Sequence, residues 1–104
     1  MVEQVKTTEE FDAVLKDNKS VFVDFFATWC GPCKMVGPVV EKVSEEVSGV
    51  KFIKVDVDDL GDVASRYGIA SIPALFAFKD GEKVGEIVGF VPAPQVKALA
   101  EKTL

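Results

Sequence analysis

Hydrophobic residues in the first half of the chain follow two patterns. Val21 to Phe26 is a continuous β-prone run interrupted by one charge, Asp24, which is typical of a central strand covered on both faces. From Cys30 onward, valines recur at intervals of three and four residues, which predicts a long amphipathic helix that ends at Gly49. Val50 to Val55 again has the composition of a strand. Together these segments predict a right-handed crossover between two parallel strands.

Shorter segments complete the pattern. Thr7 and Glu10 form a capping box, which predicts the start of a first helix, and Asp80-Gly81 between two apolar runs predicts an antiparallel hairpin. The other predicted elements are a strand over Val2 to Val5, a helix over Asp59 to Tyr67, hairpin strands over Ala74 to Phe78 and Val84 to Val88, and a helix over Pro94 to Lys102. We therefore expect one α/β domain over residues 1–104, with a mixed central sheet of five strands flanked by four helices.

Composition narrows the classes of function. Hydrophobic residues make up 48% of the chain and charged residues 28%, which is ordinary for a globular protein. A net charge of −5 works against binding to nucleic acid or to anionic membranes. The longest strongly apolar stretch, Val21 to Ala27, is too short to span a bilayer, and the first residues do not resemble a secretory signal. We expect a cytoplasmic protein in which thiols stay reduced.

Both cysteines lie in the hexapeptide Trp29-Cys30-Gly31-Pro32-Cys33-Lys34, directly after the predicted central strand. A disulfide that closes so small a loop would stabilise the fold by only about 2 kcal/mol. A zinc site needs about four ligands, and the chain has two Cys and no His. The pattern favours a reversible redox pair, with a structural disulfide and a metal site shared with a second chain as the alternatives. Because there is no third cysteine for a covalent dimer, we expect a monomer.

The two thiols are predicted to have different roles. The attacking species in disulfide exchange is the thiolate, and a free thiol with a pKa near 8.5 is only about 3% ionised at pH 7. Cys30 lies where the strand meets the helix, and the N–H groups and dipole at a helix N-terminus favour an anion. Pro32 suits the first turn because no N–H is needed there. We predict that Cys30 is the exposed nucleophile and that Cys33 is the more buried resolving thiol.

Asp24 is the second candidate for chemistry. A carboxylate inside an apolar strand is costly unless it is paired or protonated, so we predict that Asp24 accepts the proton of Cys33. Lys54 lies in the next strand of the crossover and is a candidate partner for Asp24. A half-buried strand with Asp24 facing solvent, and a solvated Lys54, are the open alternatives.

The stretch from Asp24 to Lys34, followed by Pro38, Ile72-Pro73 and Val88-Gly89, resembles the thioredoxin family, with matches in order over essentially the whole chain. The resemblance implies the thioredoxin fold and a protein-disulfide reductase that carries electrons and contributes to cell redox homeostasis. It also implies that no cofactor is bound. The partners implied are disulfide-containing protein substrates and a flavin-containing thioredoxin reductase that supplies electrons from NADPH.

The resemblance assigns further roles residue by residue. It implies that Trp29 shields the cysteines, that Gly31 and Pro32 tune the redox pair, and that Pro38 kinks the long helix. It implies a cis peptide bond before Pro73 and a shallow substrate groove formed by Ile72, Pro73 and Gly89.

The family pattern is not followed at Phe26, Ala74 and Phe90-Val91. We expect these departures to affect which partners the protein binds. Phe90 and Val91 are interpreted either as an apolar docking rim or as a hydrophobic staple on the last helix. An oxidant or isomerase, and a binding module whose thiols only switch its affinity, are the alternative functions.

Overall fold

The computed structural model describes residues 1–104 and contains five strands and four helices. In chain order they are β1 (Glu3–Val5), α1 (Thr8–Asp17), β2 (Ser20–Phe26), α2 (Gly31–Glu46), β3 (Lys51–Asp56), α3 (Gly61–Arg66), β4 (Ala74–Lys79), β5 (Glu82–Val88) and α4 (Ala93–Glu101). No helix has both the length and the apolar character needed to cross a membrane.

The strands form one mixed sheet in the order β1-β3-β2-β4-β5. β3 pairs in parallel with β1 and β2, whereas β4 pairs antiparallel with β2 and β5. β2 is therefore the central strand, and Asp24 lies opposite Lys54 on β3 and Leu75 on β4. The predicted mixed sheet and parallel crossover are confirmed.

Two helices cover each face of the sheet. Because successive side chains of a strand point to opposite faces, β2 contributes residues to the core on both sides. Val21, Val23 and Phe25 of β2 pack in one core cluster with residues of α1 and α3. Phe22 packs in a second cluster with residues of α2 and α4. The same alternation places Asp24 on the side of α2, the helix that begins after Cys30.

Two helix boundaries differ from the sequence prediction by more than one residue. α2 ends at Glu46, three residues before Gly49. The chain leaves helical geometry at Val47 (φ −110°, ψ 107°), yet the Val47 side chain remains buried, so the apolar periodicity continues past the end of the helix. α3 begins at Gly61 rather than Asp59, because a hydrogen-bonded turn precedes it.

The predicted hairpin turn is present, and the predicted capping box at the start of α1 is present in part. The Glu10 N–H donates to the Thr7 hydroxyl oxygen over 3.1 Å, although the Glu10 carboxylate accepts from the Lys6 N–H rather than from that of Thr7. Asp80 and Gly81 both have positive φ, 53° and 82°, as a type I′ hairpin turn requires. The cap fixes the start of α1, and the turn joins the two strands of the hairpin.

Candidate active site

Cys30 and Cys33 form a disulfide at the N-terminus of α2, with a Cα–Cα distance of 5.3 Å. Cys30 is the N-cap residue, and its sulfur accepts a hydrogen bond from the Cys33 N–H over 3.2 Å. Gly31 and Pro32 form the exposed first turn between them. Because proline lacks an N–H, it leaves no unpaired donor at this position. The Cys33 N–H, which has no partner within the helix, thus donates to the Cys30 sulfur.

The predicted difference in exposure between the two cysteines is wrong for this disulfide-bonded form. Cys30 is 4% exposed and Cys33 is 5% exposed. Cys30 is covered because it packs with Ala27 and Ile72, and its sulfur lies 3.9 Å from the Ile72 carbonyl oxygen. The sulfurs differ in their neighbours instead, because Cys33 lines a cavity that also contains Asp24.

The loop that covers Cys30 contains a cis peptide bond between Ile72 and Pro73. The Pro73 carbonyl oxygen accepts a hydrogen bond from the Gly89 N–H over 2.8 Å, which joins this loop to the end of β5. Pro73 is buried, whereas Ile72 and Gly89 are half-buried. The structure therefore places Ile72 against Cys30 and joins Pro73 to Gly89.

Trp29 lies on the surface beside the disulfide. Its side chain is 69% exposed, and its indole N–H donates to the Asp58 carboxylate over 2.9 Å. The Asp58 N–H in turn donates to the Asp56 carboxylate over 2.8 Å. Asp58 was not predicted as a site residue. The available signal was that β2 and β3 are parallel, so that the residues after them meet at one edge of the sheet.

Asp24 is buried in the sheet, so the alternative in which it faces solvent is wrong. Its side chain lies under α2 in a residue only 3% exposed, and its Oδ1 atom has no hydrogen-bond partner among the groups of the protein. Burial raises the pKa of the Asp24 carboxyl from 3.8 to about 6, and the positive charge of Lys54 partly opposes that rise. A carboxyl group with this pKa can change protonation state near neutral pH.

Lys54 acts on Asp24 as a nearby charge and does not form an ion pair with it. The two residues are register neighbours, but no salt bridge within 4.0 Å joins them. The Lys54 ammonium instead lies 5.7 Å from the centre of the Phe26 ring. This is a cation–π contact, and it holds a half-buried lysine at the edge of the cavity around Asp24.

A cavity of about 300 Å³ joins Cys33 to Asp24. Its other lining residues are Phe26, Ala27, Thr28, Lys34, Gly37 and Lys54. The largest cavity in the molecule, about 560 Å³, lies at the opposite end of β2 beside Lys19 and Lys51 and contains no cysteine. No three His, Cys, Asp or Glu side chains are grouped so as to hold a metal ion.

The residues that depart from the common family pattern occupy different environments. Ala74 is buried at 1% exposure, and Val91 packs against the core cluster that contains α4. Phe90 is 45% exposed and belongs to no core cluster. Val91 therefore packs as the hydrophobic-staple interpretation predicts, whereas Phe90 is exposed as the docking-rim interpretation predicts.

Comparison with known proteins places the chain in a family. The thioredoxin family model matches residues 2–102. Thioredoxin-1 of Saccharomyces cerevisiae is 49% identical over 100 residues, which cover 96% of this chain and 97% of that protein. The structure of Plasmodium falciparum thioredoxin superposes with a TM-score of 0.91 at 40% identity, covering 97% of this chain and 98% of that one. A mutant thioredoxin from Halobacterium salinarum gives 0.90 at 42% identity, with coverages of 97% and 88%.

The chain belongs to the thioredoxin family. Its Cys30–Cys33 pair occupies the active-site position, so the protein is a thiol–disulfide oxidoreductase that reduces protein disulfides by dithiol–disulfide exchange. Members of this family carry no cofactor of their own.

Proposed function

We propose that Cys30 is the nucleophile and Cys33 the resolving thiol. The observation that carries this assignment is the hydrogen bond to the Cys30 sulfur from the Cys33 N–H at the start of α2. Hydrogen bonding to a sulfur anion and the positive end of the helix dipole both favour the thiolate. The Cys30 thiolate attacks a substrate disulfide, the disulfide bond breaks, one substrate sulfur leaves as a thiolate that takes a proton from water, and a mixed disulfide forms.

The second step regenerates the internal disulfide. The Cys33 sulfur attacks the Cys30 sulfur, the bond from Cys30 to the substrate breaks, and the electron pair leaves with the second substrate sulfur. Asp24 accepts the proton of Cys33, because its carboxyl lines the same cavity and its pKa of about 6 leaves it mostly ionised at pH 7. Lys54 raises the ionised fraction through its charge. The substrate gains two thiols and the protein gains one disulfide.

The substrate segment is proposed to lie in the shallow groove formed by Trp29, Ile72, Pro73 and Gly89. Trp29 presents an exposed aromatic surface next to Cys30 in the chain, and the Ile72 carbonyl oxygen lies 3.9 Å from the Cys30 sulfur. An extended segment that carries its disulfide into this groove reaches the Cys30 sulfur from the side of Ile72. Cys33 then acts from the side of Asp24.

We propose that a flavin-containing, NADPH-dependent thioredoxin reductase reduces the Cys30–Cys33 disulfide again in the cytoplasm. The protein is proposed to act as a monomer. Membership of the family and the Gly31-Pro32 pair, which resembles that of reductants, support this route. If it is correct, mixing the oxidised protein with NADPH and a catalytic amount of the reductase consumes one NADPH per Cys30–Cys33 disulfide, measured by absorbance at a wavelength specific to NADPH. The Cys30→Ser variant consumes none. No consumption by a wild-type disulfide that dithiothreitol does reduce would contradict this partner.

Equilibration with glutathione separates a reductant from an oxidant or isomerase. Trp29 lies beside the disulfide, so its fluorescence is expected to change as the disulfide opens. Fluorescence measured across a series of glutathione redox buffers gives the midpoint potential. A reductant has a midpoint at or below about −220 mV, within or below the range of cytosolic glutathione. A midpoint well above that range would identify an oxidant.

A further inference from the structure

Gly37 is a glycine inside helix α2 that packing does not require. A Cβ atom built at this position meets no atom within 4 Å beyond its own helix, and its φ is not positive. A glycine in a helix interior costs about 1 kcal/mol relative to alanine. A residue with a side chain would fit here at lower cost in helix stability, so the absence of a side chain calls for another reason.

Gly37 lies at the border of two cavities. One is the cavity of about 300 Å³ that joins Cys33 to Asp24, and the other, of about 290 Å³, extends past Pro38 toward Glu41. Asp24, Gly37 and Lys54 line both. Each cavity exceeds the roughly 30 Å³ that one water molecule occupies in the liquid. A side chain at position 37 would project into this space and reduce it.

The buried carboxyl of Asp24 faces this space. The titratable and charged groups that line the cavities around it are Cys33, Lys34 and Glu41 from α2 and Lys54 from β3. On the other side, its neighbour on β4 is the apolar Leu75. Asp24 Oδ1 is buried without a partner among the protein's groups, and Asp24 lines both cavities beside Gly37.

We propose that Gly37 is a positioning residue that keeps the cavities beside the buried Asp24 carboxyl open to water, so that the proton taken from Cys33 passes to bulk water through the gap beside Gly37. The inference rests on the proposed role of Asp24 as proton acceptor. In the resolving step the Cys30–Cys33 bond forms, the bond to the substrate breaks, and the Cys33 proton moves to Asp24. Water in the gap then removes that proton and returns Asp24 to its ionised state.

The pKa of Asp24 tests the access of water to these cavities independently of catalysis. It is measured by carbon NMR of labelled aspartate carboxyls in the disulfide-bonded wild type and in Gly37→Ala and Gly37→Leu. Because excluding water disfavours the charged form, the pKa is expected to rise from about 6 to about 7 in Gly37→Leu, with Gly37→Ala between them. Gly61→Ala in α3 also places a Cβ atom in open space and is the matched control, with the pKa of Asp24 unchanged.

The pH dependence of the resolving step tests the proton transfer. It is followed as release of substrate from a preformed Cys30 mixed disulfide. The acid limb of the profile is expected to move upward with the pKa of Asp24, so that the rate of Gly37→Leu at pH 6 falls about fivefold, in proportion to the ionised fraction. The KM for a protein disulfide is expected to stay unchanged, because Gly37 lies outside the proposed groove.

Pro38 offers a competing explanation for Gly37. A residue before proline suffers a clash of its Cβ atom in helical geometry, and glycine avoids it. In that case Gly37→Ala lowers the stability of the protein and leaves both the pKa of Asp24 and the pH profile unchanged, which overturns the proposal. If the pKa rises but neither Gly37→Leu nor Asp24→Asn changes the resolving rate, the access of water stands and the proton role of Asp24 fails.

Discussion

Replacing Cys33 by serine is expected to convert the protein into a stable trap for its substrates. Cys30 still attacks a substrate disulfide, but no second thiol is present to release it. In the wild type that thiol lies on the same helical turn, and such intramolecular groups act with effective concentrations of about 10⁵ M or more. The mixed disulfide is therefore expected to rise from undetectable in the wild type to most of the protein in Cys33→Ser.

Cys30→Ser is the matched variant, because it removes the other sulfur with the same change in side chain. It is expected to trap no substrate, since the remaining thiol of Cys33 is buried in the cavity that contains Asp24 and is not the N-cap sulfur at the start of α2. Mass spectrometry of each variant after incubation with a disulfide-containing protein such as insulin measures the adduct directly. The reverse pattern, with the adduct on Cys33, would show that the two roles are interchanged.

Asp24→Asn is expected to stabilise the protein at pH 7 by about 3 kcal/mol. The pKa of Asp24 is about 6 in the folded protein and 3.8 without the effect of burial, so the folded state holds this proton more tightly than the unfolded state. Stability associated with Asp24 is therefore fully present below about pH 4 and is lost as pH rises through about 6. The difference between the two pKa values corresponds to the stated free energy. Asparagine cannot ionise and avoids this loss.

Urea unfolding from pH 4 to pH 8 measures this difference as the free energy of unfolding of variant minus wild type. We expect it to grow between pH 4 and 6 and then stay constant. Asp62→Asn is a control of opposite sign, because the hydrogen bond from the Thr8 hydroxyl lowers the pKa of Asp62. Its wild-type contribution is present above the ordinary pKa and is lost in acid. A difference for Asp24→Asn that is independent of pH would mean that the carboxyl is not buried in its charged form.

The fold followed from the sequence because its apolar spacing is regular. The run from Val21 to Phe26 became the central strand, and the valines after Cys30 became the buried face of α2. The end of α2 was misplaced because Val47 is buried from an extended conformation, which spacing cannot distinguish from a further helical position. Local turn chemistry at Asp80-Gly81 was sufficient to fix the hairpin.

The site was predictable where the sequence itself carries a signal, as the spacing of Cys30 and Cys33 after the central strand does. Asp24 was identified because it is a charge in an apolar strand. The burial of Cys30 was not predictable, because it depends on Ile72, a residue 42 positions away. Two contacts that depend on how β3 lies beside β2 were also not predicted. They are the hydrogen bond from Trp29 to Asp58 and the contact of the Lys54 ammonium with the Phe26 ring.

We propose that the Cys30–Cys33 pair passes electrons, supplied from NADPH by a thioredoxin reductase, to protein disulfides. The most direct test of this proposal is the consumption of NADPH with insulin as substrate and thioredoxin reductase as the electron source, comparing wild type with Cys30→Ser. We predict continued turnover well beyond one NADPH per protein for the wild type and none above background for Cys30→Ser. Absence of turnover in the wild type, while its disulfide is still reduced and reoxidised, would contradict a reductase.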